Sequence, residues 1–175
     1  MSRPRLATMW LGGCSGCHMS LLDLDEFLLE LLDQVDLVYG PLVDTKEFPQ
    51  NVDLVLVEGA VANRDNLEML KLARQRSRLL VSFGDCAVTG NVTALRNLCP
   101  PLAEPGHGVY TGLPKAGFDP LVPPLLEKVH PLHHYVKVDY YLPGCPPDAP
   151  RIRKLVEALL RGEKPDWVPL ERRFG

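Results

Sequence analysis

Short apolar runs alternate along this chain with stretches of helical spacing, and this alternation constrains the fold more than any other feature. The leucines at 21, 24, 28, 31 and 32 recur as on one face of a helix. A second helix is predicted from a cap at Asn63 or Asp65 to about Ser77, and a last one from Asp148 to Gly162. Buried strands are predicted at residues 6–11, 36–39, 53–57, 78–83 and, less regularly, 135–142.

Strands that alternate with helices in this way predict a mostly parallel sheet with helices on both faces. Right-handed crossovers complete a flavodoxin-like, doubly wound α/β fold. The 175 residues contain no repeat and no linker, so residues 1–175 are expected to form one domain. One stretch, 99–124, departs from the alternation. It is rich in proline and glycine, and we expect an irregular loop with a functional or partner-binding role.

Charge and hydropathy exclude two classes of partner. The formal net charge is −3 and the isoelectric point about 5.9, whereas nucleic-acid-binding domains present a basic face. No apolar run approaches the roughly 20 residues that span a bilayer. The apolar stretch after Met1-Ser-Arg-Pro-Arg is too short for a secretory signal. We therefore expect a cytoplasmic protein that binds neither nucleic acid nor membrane.

Four of the five cysteines occupy equivalent places in the predicted fold. Cys14 and Cys17 follow the first predicted strand, Cys86 follows the fourth and Cys145 the fifth. The carboxyl ends of parallel strands meet at one edge of a sheet, which is also where open α/β sheets bind ligands. Cys99 follows a short helical turn at Thr93–Leu98 and has no glycine neighbour, so it is interpreted as a small buried apolar residue.

Four converging thiolates suit a tetrahedral zinc ion or a four-iron, four-sulfur cluster, and a thiol redox pair is a third possibility. Glycines beside the cysteines let backbone N–H groups approach the sulfur atoms. One close pair followed by two distant single cysteines differs from the two close pairs of a zinc ribbon. The pattern favours the cluster and leaves zinc and redox chemistry open.

Three motifs carry a resemblance to a known family. Residues 7–26 read ATMWLGGCSGCHMSLLDLDE, residues 84–90 read GDCAVTG, and residues 143–147 read PGCPP. In this order they resemble the small subunit of nickel–iron hydrogenases, most closely the cytoplasmic bidirectional, NAD-linked enzyme of the Hox type. The resemblance covers nearly the whole chain.

This resemblance implies one proximal [4Fe–4S] cluster on Cys14, Cys17, Cys86 and Cys145. It implies a large subunit that carries the Ni–Fe centre, and diaphorase subunits with further clusters, FMN and NAD. The chain would relay electrons between them, as a subunit of hydrogen dehydrogenase without a complete active site of its own. Periplasmic relatives have an export signal and a cluster-bearing extension, and this sequence shows neither. Flavin on this chain is disfavoured because cysteines replace the phosphate-binding residues of the first loop.

Two alternatives remain. The small cluster subunit of respiratory complex I shares the Pro-Gly-Cys-Pro-Pro element, but its first cysteines are adjacent, whereas Ser15 and Gly16 separate them here. A zinc-stabilised structural adaptor would use the same thiols. Many hydrogenase small subunits have a glutamate soon after the first cysteine pair, where this chain has His18-Met19-Ser20. No proton-relay role is transferred to these residues, and His18 is expected either to tune the cluster or to be structural.

Overall fold

Five parallel strands form the central sheet of the computed structural model, which describes residues 3–98, 121 and 123–165. The sheet order is β2-β1-β3-β5-β7, and every neighbouring pair is parallel. The order therefore reverses between β1 and β3, as in flavodoxin-like folds. The predicted fold class is confirmed. The strands are β1 Arg5–Trp10, β2 Asp36–Tyr39, β3 Val52–Glu58, β4 Val61–Asn63, β5 Ser77–Phe83, β6 Leu125–His130 and β7 Tyr140–Leu142.

Helices cover both faces of this sheet. They are α1 Gly16–Leu22, α2 Glu26–Gln34, α3 Arg64–Arg76, α4 Asp85–Thr89 and α5 Ala149–Leu160. Side chains alternate along each strand, so Leu54 and Leu56 of β3 pack with α1, α2 and α5. Val55 and Val57 point the other way and pack with α3 and α4. Both faces of the central strands are thus buried, as expected of a parallel sheet.

Two helix starts follow the predicted capping residues. The Asn63 side chain accepts a hydrogen bond from the Asn66 N–H at 2.8 Å, so Asn63 rather than Asp65 caps α3. Asp148 accepts from the Arg151 N–H at 3.0 Å and caps α5, which ends just before Gly162. In both helices, a hydrogen bond to a nearby side chain therefore fixes the residue at which the helix begins.

The single helix predicted over the leucines at 21–32 is wrong, because the chain turns between α1 and α2. Asp25 adopts a positive φ of 50° there, which no helix interior contains. Leu24 stays buried in the turn, and Leu21 and Leu31 remain in the same core. The leucine spacing does indicate one buried face, but that face spans two helices.

The carboxyl-terminal half also differs from the prediction. The fifth strand is only Tyr140–Leu142, and residues 135–139 of the predicted strand form turns and irregular structure instead. The turn predicted at Thr93–Leu98 belongs to a 3₁₀ helix, Asn91–Leu98. A small antiparallel sheet, β4 with β6, was not predicted. Cys99 and almost all of the proline-rich stretch 99–124 lie outside the described residues.

Within the described residues no helix is both long and apolar enough to cross a bilayer.

Candidate cluster-binding site

The four predicted cysteines lie at the carboxyl edge of the sheet, on loops or first helical turns that directly follow strands. Cys14 lies between β1 and α1, and Cys17 is in the first turn of α1. Cys86 is in the first turn of α4, and Cys145 follows β7. The loop after β1 emerges beside β3, where the strand order reverses. This is the place at which doubly wound sheets bind their ligands.

The thiols come close enough to influence one another electrostatically. Burial raises the pKa of Cys17, and the negative charges of Glu58, Cys14, Cys86 and Cys145 raise it further. Burial likewise raises the pKa of Cys145, with Cys86, Asp85 and Cys14 adding to the effect and a hydrogen bond from Asn91 opposing it. The raised pKa values of Cys17 and Cys145 favour protonated thiols, and a bound metal centre would supply the positive charge that stabilises them as thiolates.

The four cysteines also differ in how deeply their side chains are buried. Cys17 is buried, Cys86 is partly exposed, and Cys14 and Cys145 are exposed. None of the four is in a disulfide. The site therefore has a protein-lined inner side and an open outer side.

The two candidate metal groups place their thiolate ligands differently. Thiolates around one zinc ion lie about 2.3 Å from it and hence about 3.8 Å apart. Among the described residues, no three Cys, His, Asp or Glu side chains meet closely enough to hold one metal ion. In a [4Fe–4S] cluster each thiolate binds a different iron atom, so the four sulfur atoms stand further apart. Four thiols are a donor set that a [4Fe–4S] cluster takes, and the same donors would also serve zinc.

Two glycines allow close backbone approaches in the loops that lead to Cys86 and Cys145. Gly84, with φ 84° and ψ 164°, occupies a region of conformational space that is essentially reserved for glycine. A Cβ at this position would overlap the Cys17 sulfur. Gly144, with φ 139°, leads into the cis Cys145–Pro146 peptide bond, and a Cβ there would lie 2.5 Å from the Pro147 Cα. The backbone at Gly84 thus passes close to the Cys17 sulfur, and the chain turns tightly at Gly144, just before Cys145.

Asp85 joins the loop of Cys86 to the loop of Cys145. Its carboxylate accepts a hydrogen bond from the Gly144 N–H at 2.6 Å, and its own N–H donates to the Gly144 carbonyl at 2.9 Å. Asp85 is 4% exposed, so these bonds form away from competing water. The Ser20 hydroxyl of α1 donates to the Pro147 carbonyl at 2.6 Å and fixes the same loop from the other side.

A buried pair, His18 and Glu58, underlies Cys17. Glu58 ends β3 and accepts hydrogen bonds from the His18 N–H at 3.0 Å and from the His18 ring, whose Nδ1 lies 2.5 Å away. The other ring nitrogen, Nε2, is buried without a hydrogen-bond partner in the described part of the chain. The His18 ring also meets the edge of Phe83 at a centroid distance of 6.2 Å.

Sequence reasoning missed Glu58 and Asp85. Glu58 had a signal, because a charged residue directly after the apolar run Leu54–Val57 ends a buried strand at the ligand-binding edge. Asp85 stands next to Cys86, and its place inside the glycine-flanked motif was the only signal it offered. The structure thus supplies a glutamate beside the first cysteine pair, but from β3 rather than from the residues that follow Cys17.

Comparisons with known proteins agree with this geometry. Residues 14–159 match the family described as NADH ubiquinone oxidoreductase, 20 Kd subunit. The chain is 41% identical, over 90% of its length and 79% of the relative's, to the NAD-reducing hydrogenase HoxS subunit delta of Cupriavidus necator. It is 39% identical to a subunit of the vhu F420-non-reducing hydrogenase of Methanocaldococcus jannaschii, in a match that covers 92% of this chain but only 57% of that protein.

A solved structure shows the same fold over the full length. The crystal structure of an NAD⁺-reducing [NiFe]-hydrogenase in the H₂-reduced state contains a chain that superposes with a TM-score of 0.88 at 39% identity. The match covers 99% of both chains. The complex I resemblance and the hydrogenase resemblance therefore fall within one family. The chain belongs to the family of the 20 kDa subunit of NADH:ubiquinone oxidoreductase and, within it, to the hydrogenase subunits.

Proposed function

We propose that this chain is the electron-transfer small subunit of an NAD-reducing nickel–iron hydrogenase and holds one proximal [4Fe–4S] cluster on Cys14, Cys17, Cys86 and Cys145. The observation that carries the proposal is the convergence of these four thiols at the carboxyl edge of the sheet. The relatives support the assignment to an NAD-reducing enzyme, since both the HoxS subunit delta and the solved structure are described as NAD-reducing.

The bound cluster would supply one-electron transfer between two neighbouring redox centres. The protein determines where those electrons enter and leave. Cys17 and the buried pair below it close the inner side, whereas Cys14 and Cys145 open toward the surface. The four cysteines would act as ligands rather than as acid–base catalysts. Catalysis of hydrogen conversion is therefore assigned to another chain.

The open side is the face we assign to the large subunit with its Ni–Fe centre. Large apolar side chains are exposed near the cysteine loops, with Trp10 at the end of β1 and Met19 on α1. Val92 and Leu95 are exposed on the 3₁₀ helix, which Thr93 joins to the first loop through a 3.0 Å hydrogen bond to the Gly12 carbonyl. Apolar side chains in such number mark a protein–protein contact. The loop 99–124 is proposed to join this interface.

The remaining parts of the proposal concern the wider complex. Electrons would pass from the cluster to diaphorase subunits that carry further clusters, FMN and NAD, and the complex would work in the cytoplasm. The single-domain organisation of residues 1–175, with 99–124 as its irregular loop, belongs to the same proposal.

Metal analysis of the purified full chain tests the proposal. We expect about four iron atoms and four sulfides per chain, broad absorption near 400 nm and an electron paramagnetic resonance signal after reduction. Stoichiometric zinc in a colourless protein would instead support the structural adaptor. The same cluster-loaded chain should not reduce dyes with hydrogen, and such activity would contradict the assignment of catalysis to the large subunit.

A further inference from the structure

Cys145 lies on a segment that has few backbone hydrogen bonds of its own to hold it in place. Residues 143–147 read PGCPP and form neither helix nor strand. Proline has no backbone N–H, so Gly144 and Cys145 carry the only backbone donors of this segment. Cys145 is also exposed, whereas Cys17 and Cys86 lie in the first turns of helices. The position of Cys145 therefore depends on contacts from other elements.

Asp85 supplies one such contact from the loop of Cys86. Its buried carboxylate accepts a hydrogen bond from the Gly144 N–H at 2.6 Å. The Asp85 N–H donates to the Gly144 carbonyl at 2.9 Å, and this bond continues the pairing of β5 with β7 beyond the ends of both strands. Any residue at position 85 would keep the backbone bond, so the carboxylate is the part of Asp85 that is specific to the contact.

Ser20 supplies a second contact from the helix of Cys17. Its buried hydroxyl donates to the Pro147 carbonyl at 2.6 Å. The two contacts lie on either side of Cys145, because Gly144 precedes it and Pro147 follows two residues later. Each side chain comes from an element that carries another of the four cysteines. The two hydrogen bonds thus join three cysteine-bearing elements around Cys145.

We propose that Asp85 and Ser20 are positioning residues that hold Cys145 in place as a ligand, so that the iron atom bound by Cys145 depends on both of them. The inference rests on the proposed function, because it requires Cys145 to be a ligand. Groups that orient a metal ligand from behind affect metal affinity nearly as strongly as the ligand itself. Since each cysteine binds a different iron atom, a loosened Cys145 releases one iron atom before the others.

Oxidation makes this loss visible. Ferricyanide takes one electron from a [4Fe–4S]²⁺ cluster, and the departure of one Fe²⁺ leaves [3Fe–4S]⁺. The three-iron product gives an electron paramagnetic resonance signal that the oxidised four-iron cluster lacks. A selective effect on one ligand is therefore distinguishable from collapse of the whole site.

Three variants test the two contacts. Asp85→Ala removes the acceptor of the Gly144 N–H, whereas Asp85→Asn keeps a side-chain oxygen that accepts it. Ser20→Ala removes the hydroxyl on the other side of Cys145.

Two matched controls lie at the amino edge of the sheet. Ser77→Ala also removes a hydroxyl that donates to a backbone carbonyl at 2.6 Å, in this case that of Ala73. Asp53→Ala also removes a carboxylate that accepts a backbone N–H, that of Arg5 at 2.9 Å. Neither control residue lies on an element that directly precedes or carries Cys145.

The measurement is iron release from the cluster-loaded full chain, treated with ferricyanide and a chelator and followed by electron paramagnetic resonance. Asp85→Ala should release its first iron atom about 10- to 100-fold faster than wild type, with a three-iron signal. Ser20→Ala should release it about 3- to 10-fold faster, because a bond between neutral groups is weaker than one to a carboxylate. Asp85→Asn should stay within about fivefold of wild type, since the acceptor remains. Both controls should match wild type.

Different results identify different failures. A wild-type rate in Asp85→Ala, or equal rates in Asp85→Asn and Asp85→Ala, would overturn the inference and leave the proposed function intact. Loss of all iron at once without a three-iron signal, or equally fast release from the controls, would make the contacts merely structural and would also overturn it. If Asp85→Ala does not fold, Ser20→Ala decides, and a wild-type rate there would contradict the inference. A wild-type chain without iron would overturn the proposed function itself.

Discussion

The two edges of the central sheet use polar side chains in opposite ways. At the carboxyl edge, His18, Glu58 and Asp85 are each at most 5% exposed and bind backbone or one another next to the thiols. At the amino edge, charged pairs lie near the surface. Arg78 lies 3.6 Å from Asp53, with side chains 65% and 40% exposed. Arg74 forms a more buried ion pair with Asp139. The Asp139 carboxylate also accepts a hydrogen bond from the Leu80 N–H at 2.9 Å.

This difference indicates that the polar side chains of the carboxyl edge serve binding, whereas those of the amino edge serve only the fold. Exposed ion pairs contribute little to the free energy of unfolding and are screened by salt. The pairs at the amino edge therefore need no role beyond holding the ends of the strands in place. Burying a charged group costs free energy of desolvation, so buried charges are weak evidence that a region stabilises the fold. Their concentration around four thiols indicates that the carboxyl edge is organised for binding.

The largest effect on stability is expected from Glu58→Ala. The change removes the acceptor of both His18 donors inside the core, and breaking a buried pair costs about 3–5 kcal/mol. Glu58→Gln keeps an acceptor oxygen and should lose clearly less. Urea unfolding of the full chain measures both. Equal, near-wild-type stability of the two variants would show that the pair is not buried as described.

A smaller loss is expected from Gly84→Ala. The added Cβ meets the Cys17 sulfur, and the backbone there is accessible essentially to glycine alone. Strain and overpacking together cost about 2–4 kcal/mol. Gly162→Ala is the control, because its φ is also positive, at 73°, yet nothing lies within 4 Å of its Cβ position. Strain alone should cost about 1–2 kcal/mol there. Iron binding should fall in Gly84→Ala only, and equal iron content in both variants would contradict the tight packing at Cys17.

The smallest effect is expected at the amino edge. Arg78→Ala should change the unfolding free energy by less than about 1 kcal/mol, and the change should shrink as salt is added. Iron content should match wild type. A loss comparable with that of Glu58→Ala would remove the distinction between the edges.

Local patterns predicted much of this fold. The apolar runs located β1, β2, β3 and β5 to within about two residues, because buried parallel strands consist of continuous apolar residues. Asn63 and Asp148 fixed helix starts through hydrogen bonds that depend only on nearby residues. The four cysteines were placed at one edge because the topology of a parallel sheet dictates where strand ends meet.

Long-range features were not predictable in this way. The β4–β6 pair joins three residues of one strand to a partner that follows the stretch 99–124, so no local pattern signals it. The turn at Asp25 keeps the leucine periodicity intact while breaking the helix. Glu58 reaches the first cysteine loop only through tertiary packing, and its partner His18 lies 40 residues away in the sequence.

Iron content of single cysteine variants tests the central claim most directly. Cys14, Cys17, Cys86 and Cys145 are each replaced by alanine in the full chain, with Cys99→Ala as the matched control, and iron per chain is measured after anaerobic cluster assembly. We predict that each of the four replacements loses most of the iron and that Cys99→Ala keeps the wild-type content of about four atoms. Full iron in Cys145→Ala, or a loss in Cys99→Ala equal to that of the other variants, would contradict a single cluster held by these four thiols.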